Sequence, residues 1–255
     1  MRIGMGMGMG SGSGAPDWSP LNITNVLTWF DGKDTSTMTI DANLFITEWR
    51  NKVSAGNPYQ QADVSAPAPT APSYSAADGV VFSGGQNMKR NHTLDGTVSN
   101  ITFWYVLKLT ANTGVDQFLM SHAGTGGAMQ IMIKSDCAAL RMNMGTTITS
   151  SATTYTLLSN NYRLLIYNYI KSPGLSSFIG YGAGSPSGDI GNGALRDAGN
   201  RSFNSGAQIM LGAGSDSAGW LSGNLFGMGA CLGTMSADEL TSLKNWANAY
   251  YGSAK

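Results

Sequence analysis

Glutamate is almost missing from this 255-residue chain: Glu48 and Glu239 are the only two, so aspartate makes up nearly all of the acids. Histidine occurs only at His92 and His122, and cysteine only at Cys137 and Cys231. Charged residues make up 12% of the chain, with Lys and Arg balancing Asp and Glu at 15 each. Each shortage removes a class of function. Two cysteines without CxxC or Cys/His spacing build neither a disulfide framework nor a zinc site; they read as buried thiols, with a single bridge between them left open. A charge-poor chain of zero net charge lacks the basic footprint of a nucleic-acid binder. The longest apolar run, Ile101 to Leu109, is interrupted by Lys108 and falls short of the roughly 18 residues of a membrane-spanning helix. Neither histidine lies in an HExxH-type motif, and Gly124-Thr125-Gly126-Gly127 lacks the Lys-Ser/Thr of a phosphate loop and reads as a hairpin turn. No cofactor or metal is expected.

What is abundant is glycine, 34 residues of it, much of it at the start. Within residues 1–20, positions 3–10 alternate apolar side chains with Gly, and in an extended chain this places Ile3, Met5, Met7 and Met9 on one face. Methionine fills irregular gaps while the glycine face lets another backbone approach, so the segment reads as an N-terminal assembly arm on a neighbouring subunit. Arg2 opens no signal peptide, because no apolar stretch follows it.

Residues 21–255 read as one domain. Short apolar or alternating runs punctuated by Gly, Ser, Thr and Asn predict an all-β chain, and their number and spacing suggest two packed sheets. Expected strands are 26–30, 44–50, 79–83, 100–109, 117–121, 129–134, 138–143, 153–158, 162–170, 176–181, 208–212 and 225–232. Bulk on both faces of 100–109 makes that strand central. The prolines of 62–77 predict a surface connection, and the stretch 182–207 a long irregular loop of the kind that binds or packs on a partner. Ser236-Ala237-Asp238-Glu239 is a capping box opening the single expected helix, with Leu240, Leu243, Trp246, Ala247 and Tyr250 recurring at helical spacing and Gly252 as its C-terminal cap. Trp29, Trp49, Trp104 and Trp246 are expected in the core.

The segments Leu27-Thr28-Trp29-Phe30-Asp31-Gly32-Lys33-Asp34, Gly79-Val80-Val81-Phe82-Ser83-Gly84 and Leu232-Gly233-Thr234-Met235-Ser236-Ala237-Asp238-Glu239-Leu240 resemble the concanavalin A-like lectin/glucanase superfamily, LamG-type branch. That resemblance implies a two-sheet antiparallel jelly-roll sandwich, here with a C-terminal helix and an extended N-terminal arm. A Gly-rich arm before such a domain resembles virion proteins of tailed bacteriophages. Ser83 stands where members usually carry aspartate, with Lys89-Arg90 following, so calcium binding does not carry over. Asp31 and Asp34 have the oxygen chemistry of calcium ligands and also of turn caps, and the turn caps are the expectation.

A retaining glycosidase needs two carboxyls about 5 Å apart, and the Glu-x-Asp-x-x-Glu strand of the glucanase branch is absent. The chain is therefore expected not to be an enzyme. Aromatic faces stack on sugar rings and polar side chains bond hydroxyls, which makes Trp220 the expected platform, with Asp216, Tyr181, Asp189 and Asn192 as neighbours should their loops converge. The reading is a virion structural protein, a head decoration or tail fibre component. Its arm anchors it to capsid or tail subunits, it forms a homo-oligomer, and its lectin-like body meets a cell-surface glycan. The alternatives are a free carbohydrate-binding lectin and, third, a glycoside hydrolase.

Overall fold

The computed structural model describes residues 18–54, 56, 59–61, 71–91, 96–98, 100–123, 129–137, 139–144, 147–149, 162–170, 177–181, 201–203, 208–214 and 219–251. The arm residues Ile3, Met5, Met7 and Met9, the strand expected over 153–158, the turn at 124–127 and Gly252 lie outside them. The described chain is an all-β, two-sheet antiparallel sandwich closed by one helix.

Strands are numbered along the chain. The first sheet has seven: β15 (Ser177–Tyr181), β14 (Arg163–Ile170), β9 (Asn100–Leu109), β18 (Ser222–Leu232), β6 (Gly79–Ser83) and β5 (Ser73–Ser75) in spatial order, with β1 (Val26–Asp31) also on β18. The second has nine: β13 (Thr147–Thr149), β12 (Leu140–Met144), β11 (Met129–Ile133), β10 (Gln117–Ala123), β17 (Gln208–Leu211), β7 (Met88–Asn91), β4 (Tyr59–Gln61), β3 (Ile46–Trp49) and β2 (Met38–Ile40). A small ribbon pairs β8 (Gly96–Val98) with β16 (Arg201–Phe203), and the helix α1 spans Ala237–Tyr251.

The first sheet is buried on both faces. Along β9, Ile101, Phe103, Tyr105 and Leu107 enter the core shared with the second sheet, while Trp104 and Val106 point the other way into a cluster with α1. This is the double-sided pattern expected of a central strand. The helix supplies Leu243, Trp246, Ala247 and Tyr251 to that second cluster, and the Trp246 ring meets Trp29 edge-on at 5.7 Å and Trp104 at 6.2 Å.

The partner strand β18 makes room by omission. Gly227 and Gly229 lie on its helix side, where a Cβ would overlap the Tyr251 hydroxyl and the Trp104 ring respectively. On its edge away from β9, β18 carries two strands end to end: β6 pairs with Ser222 to Leu225, and β1 with Gly227 to Cys231. They meet at the bulge around Phe226, whose carbonyl accepts from the Gly32 amide at 2.7 Å. A Cβ on Gly32 would sit 2.6 Å from the carbonyl oxygens of both Leu225 and Phe226, so the junction needs glycine. The outer edge of β1 is closed by the buried Asn51: its Oδ1 accepts from the Trp29 amide at 2.8 Å and its Nδ2 donates to the Leu27 carbonyl at 3.3 Å. An edge strand is thereby satisfied without another strand.

The capping box forms as expected. The Glu239 amide donates to Ser236 Oγ at 3.2 Å, and the Ser236 amide donates to Glu239 Oε2 at 2.8 Å. Glu239 Oε1 also accepts from the Thr24 amide at 2.7 Å, tying the helix start to the chain leading into β1. Burial pushes the carboxyl up, but the amides of Thr24 and Ser236 outweigh it and hold its pKa at about 2.

Two expectations are corrected. The proline-rich connection ends in a strand, β5, at the edge of the first sheet, where β6 lies on one side and the segment around Phe45 bonds the other through the Tyr74 amide and the Pro72 carbonyl. The stretch expected to be irregular over 182–207 contributes β16, paired with β8. The short strands β2, β4, β7, β8, β13 and β16 had no run long enough to show a period. Cys137 and Cys231 are both buried and free.

Gly229→Ala places a methyl against Trp104 and the Thr28 carbonyl, and should cost about 2–3 kcal/mol of stability, read from a denaturant midpoint. Glu239 has its folded pKa depressed, so its contribution is present above its ordinary value and is lost as pH falls toward about 2. Glu239→Gln should therefore lower the melting temperature at pH 7, and the gap between the two proteins should close as pH falls below about 4 toward 2.

Candidate functional site

Cross-strand register sorts the second sheet into two rows of different chemistry. Facing inward lie Tyr59, Arg90, Ile209, His122 and Met129, each adjacent to the next through the pairings of β4, β7, β17, β10 and β11. Facing outward, the row Glu48, Gln60, Lys89, Met210, Ser121 and Gln130 crosses the same strands. Gln60 is exposed, Glu48, Lys89 and Gln130 are half-buried, and Ser121 is buried, donating to the Ala213 carbonyl at 2.8 Å. Amide, carboxylate and ammonium groups spaced across a sheet face are the donors and acceptors that hydroxyl-rich ligands use.

The inward row ends in a cavity. Tyr59, Arg90, Met120 and Met129 line it from the second sheet, and Phe30, Phe103, Tyr105 and Met228 from the first. Its volume of about 30 Å³ leaves room for one or two waters. The Arg90 guanidinium carbon lies 5.3 Å from the Phe30 ring centre and 5.1 Å from that of Tyr59, in cation–π range of both. The Tyr59 hydroxyl reaches Met120 Sδ at 3.9 Å. Burial pushes the Tyr59 phenol up and the neighbouring Arg90 pulls against it, while burial holds Tyr105 well above the ordinary tyrosine range. Burial also lowers the pKa of His122, which favours its neutral form.

A second polar cluster surrounds Asp31, whose side chain is sealed from solvent. Its carboxylate accepts from the Lys33 amide and the Tyr250 hydroxyl, each at 3.0 Å, from Lys52 Nζ at 3.3 Å and from the Tyr251 hydroxyl at 3.4 Å. Lys52 also bonds Asp34 at 2.8 Å, and Asp34 caps the following turn through the Ser36 amide at 3.1 Å. Burial would raise the Asp34 pKa, but its bonds from Lys52 and Ser36 lower it on balance. Both aspartates are turn caps as expected, and lysine and tyrosine take the positions a cation would need. Among the described residues, no three His, Cys, Asp or Glu side chains cluster as metal ligands.

Of the residues expected to bind glycan, Trp220 is half-buried in the segment joining β17 to β18, held between Gly219 at φ +65° and the Leu221 amide, which donates to the Gly212 carbonyl at 2.9 Å. Tyr181 ends β15. The pairings β15–β14–β9–β18 put Tyr181 three strands away from β18 and level with Gly227, well along the sheet from Trp220, so the two residues do not converge. Asp216, Asp189 and Asn192 lie outside the described residues. The Arg90 cavity opens at the end opposite Trp220, near Ala230 of β18. Arg90 was legible in one respect: in Met88-Lys89-Arg90 a period of two puts Arg90 on the face of the buried Met88.

No family model matches this sequence, and no curated protein matches it. Solved structures match its fold. A GH54 α-L-arabinofuranosidase is 16% identical with a TM-score of 0.55, covering 88% of this chain and 59% of its own. Trypanosoma rangeli sialidase in complex with sialic acid is 12% identical with a TM-score of 0.56, covering 89% and 34%. The receptor binding domain of botulinum neurotoxin D is 9% identical with a TM-score of 0.55, covering 88% and 52%. The chain thus spans between about a third and three fifths of these proteins. At these identities the likeness is one of fold: a β-sandwich.

The expectation that the chain is not an enzyme is corrected by these neighbours, since an arabinofuranosidase and a sialidase are glycoside hydrolases with which it shares its architecture. The missing Glu-x-Asp-x-x-Glu strand excludes only one arrangement of carboxyls. Carboxyls that meet through space from different strands and loops leave no such motif.

Proposed function

We propose that this chain is a carbohydrate-binding sandwich protein of the concanavalin A-like kind. The observation that carries the reading is the fold likeness to two carbohydrate-active enzymes over almost nine tenths of this chain. The outward row of the second sheet supports it, because Glu48, Gln60 and Lys89 place an acceptor, an amide and a donor on three neighbouring strands, with Gln130 farther along the row beyond Met210 and Ser121. Half-buried Trp220 adds an aromatic face at one end.

The setting we propose is the surface of a bacteriophage particle, with the chain oligomeric and its N-terminal arm lying on capsid or tail subunits. The alternation of Ile3, Met5, Met7 and Met9 with glycine supports it.

Screening the full chain against immobilised neutral and acidic oligosaccharides, with released reducing sugar measured in the same samples, tests the first reading. Saturable binding should appear, Gln60→Ala should weaken it about tenfold if the sheet face is used, and Trp220→Ala by a similar factor if the rim is used. No binding to any glycan overturns it, and sugar release assigns hydrolysis in addition. For the arm, replacing Met5, Met7 and Met9 by Ser removes apolar burial of roughly 1.5–3 kcal/mol for each side chain that is fully covered. Incorporation into particles should fall while the melting temperature of the isolated protein holds; unchanged incorporation removes the anchoring role.

A further inference from the structure

Arg90 combines one sealed, unbonded donor with a charge that no described carboxylate neutralises. Its Nε is sealed from solvent and donates to no acceptor, although the residue as a whole is part-exposed. No carboxylate pairs with it among the described residues: the ion pairs there join Arg50 to Glu48, Lys52 to Asp31 and Asp34, and Arg141 to Asp116. The Tyr59 phenol and two aromatic faces engage the group, but they leave its charge without a counter-charge among the described residues. A purely structural filler for this position would be apolar, as the adjacent inward residues Ile209 and Met88 are.

The surroundings are also built to keep the group still. Phe30 from the first sheet and Tyr59 from β4 both lie within 5.3 Å of the guanidinium carbon, so its planar fork loses little freedom on meeting a partner. The cavity beside it, about 30 Å³, has room for a bare carboxylate head in place of one or two waters and is walled by Met120, Met129 and Met228. Methionine walls adapt to an occupant at little cost.

We propose that the Arg90 end of the inter-sheet cavity is a binding site for a carboxylate, whose head takes the place of the one or two waters the cavity can hold and meets the guanidinium fork, while the ligand's body stays outside the cavity. The carboxylate belongs either to a small free organic acid or to an acidic sugar of a glycan, and both carry the same recognised group. The site is separate from Trp220, at the other end of the sandwich, and does not rest on the glycan reading.

The test uses the full chain with labelled methionine methyls and three probes: propionate, glucuronate, and the methyl ester of glucuronate, which keeps the ring and removes the charge. Saturable shifts of the Met120, Met129 and Met228 resonances are expected with a carboxylate and not with the ester, while Met235 in the helix-side cluster stays still. Arg90→Gln should weaken the response by roughly ten- to a hundred-fold, and Arg90→Lys by less, since it keeps the charge and loses the fork. Saturation by propionate as well as glucuronate assigns the carboxylate alone as the determinant, and preference for glucuronate assigns the acidic sugar. Equal response to acid and ester, or no saturable response of the native chain to either acid up to tens of millimolar, overturns the proposal. Should the Arg90 variants fail to fold by near-ultraviolet circular dichroism, the contrast between acid and ester on the native chain decides alone.

Discussion

The Trp104 ring covers the place where Gly229 has no side chain, and that contact decides how the molecule is layered. A sheet with a tryptophan on its outer face needs a cover, and a cover can approach only where the neighbouring strand is bare. Gly227 and Gly229 bare that strand, Trp246 of the helix packs edge-on against Trp104, and Tyr251 enters the gap over Gly227. Glycine inside a strand weakens it by lost packing and by entropy. Here the loss is offset because the vacated space is filled by rings from a neighbouring strand and the helix, which bury far more apolar area than a methyl would. The result is three layers, second sheet, first sheet and helix, as the sequence pattern of two sheets and a C-terminal helix predicts.

Asp31 fixes how those layers are joined. It ends β1, and it collects donors from the helix C-terminus through Tyr250 and Tyr251 and from the chain after β3 through Lys52. A buried carboxylate is expensive unless every lone pair is engaged, which makes this arrangement specific to one placement of the helix. At the other end of the helix Glu239 performs the matching task on Thr24. The helix is thus tied at both ends to the approaches of one strand, which is why segments at the start and finish of the chain carry the clearest sequence signature while the middle shows only a strand rhythm.

What was legible follows from length and period. The strand 100–109 is ten residues with bulk on both faces, and 79–83 is bounded by glycine, so both appear at their predicted limits. The capping box is a local device and was readable as one. Three-residue strands such as β2, β4 and β5 are not, because they exist only through the ladder of a neighbour. The candidate site divides the same way. Trp220 was visible as an aromatic in a polar loop, whereas the rows on the second sheet depend on register between strands far apart in sequence, as when Gln60 meets Lys89 and Lys89 meets Met210. Arg90 was noticed as half of a basic pair. Its inward position required only a count of two from Met88, yet its neighbours Phe30 and Tyr59 come from other strands, and no local pattern announces them.

With the helix over the outer face of the first sheet, recognition is left to the outer face of the second sheet and to the two ends of the sandwich. These offer different chemistry. The sheet face presents neutral and charged hydrogen-bonding groups in a broad row, suited to many weak bonds to hydroxyls. The Ala230 end presents one part-exposed cation, Arg90, beside a narrow cavity lined largely by apolar and aromatic side chains, suited to a single strong bond to an anion. A ligand that needed both would have to wrap around the sandwich edge, because Lys89 and Arg90 are consecutive in β7 and point to opposite faces of the same sheet. As proposed sites the two surfaces are therefore independent, since occupancy of one would leave the hydrogen-bonding groups of the other unspent.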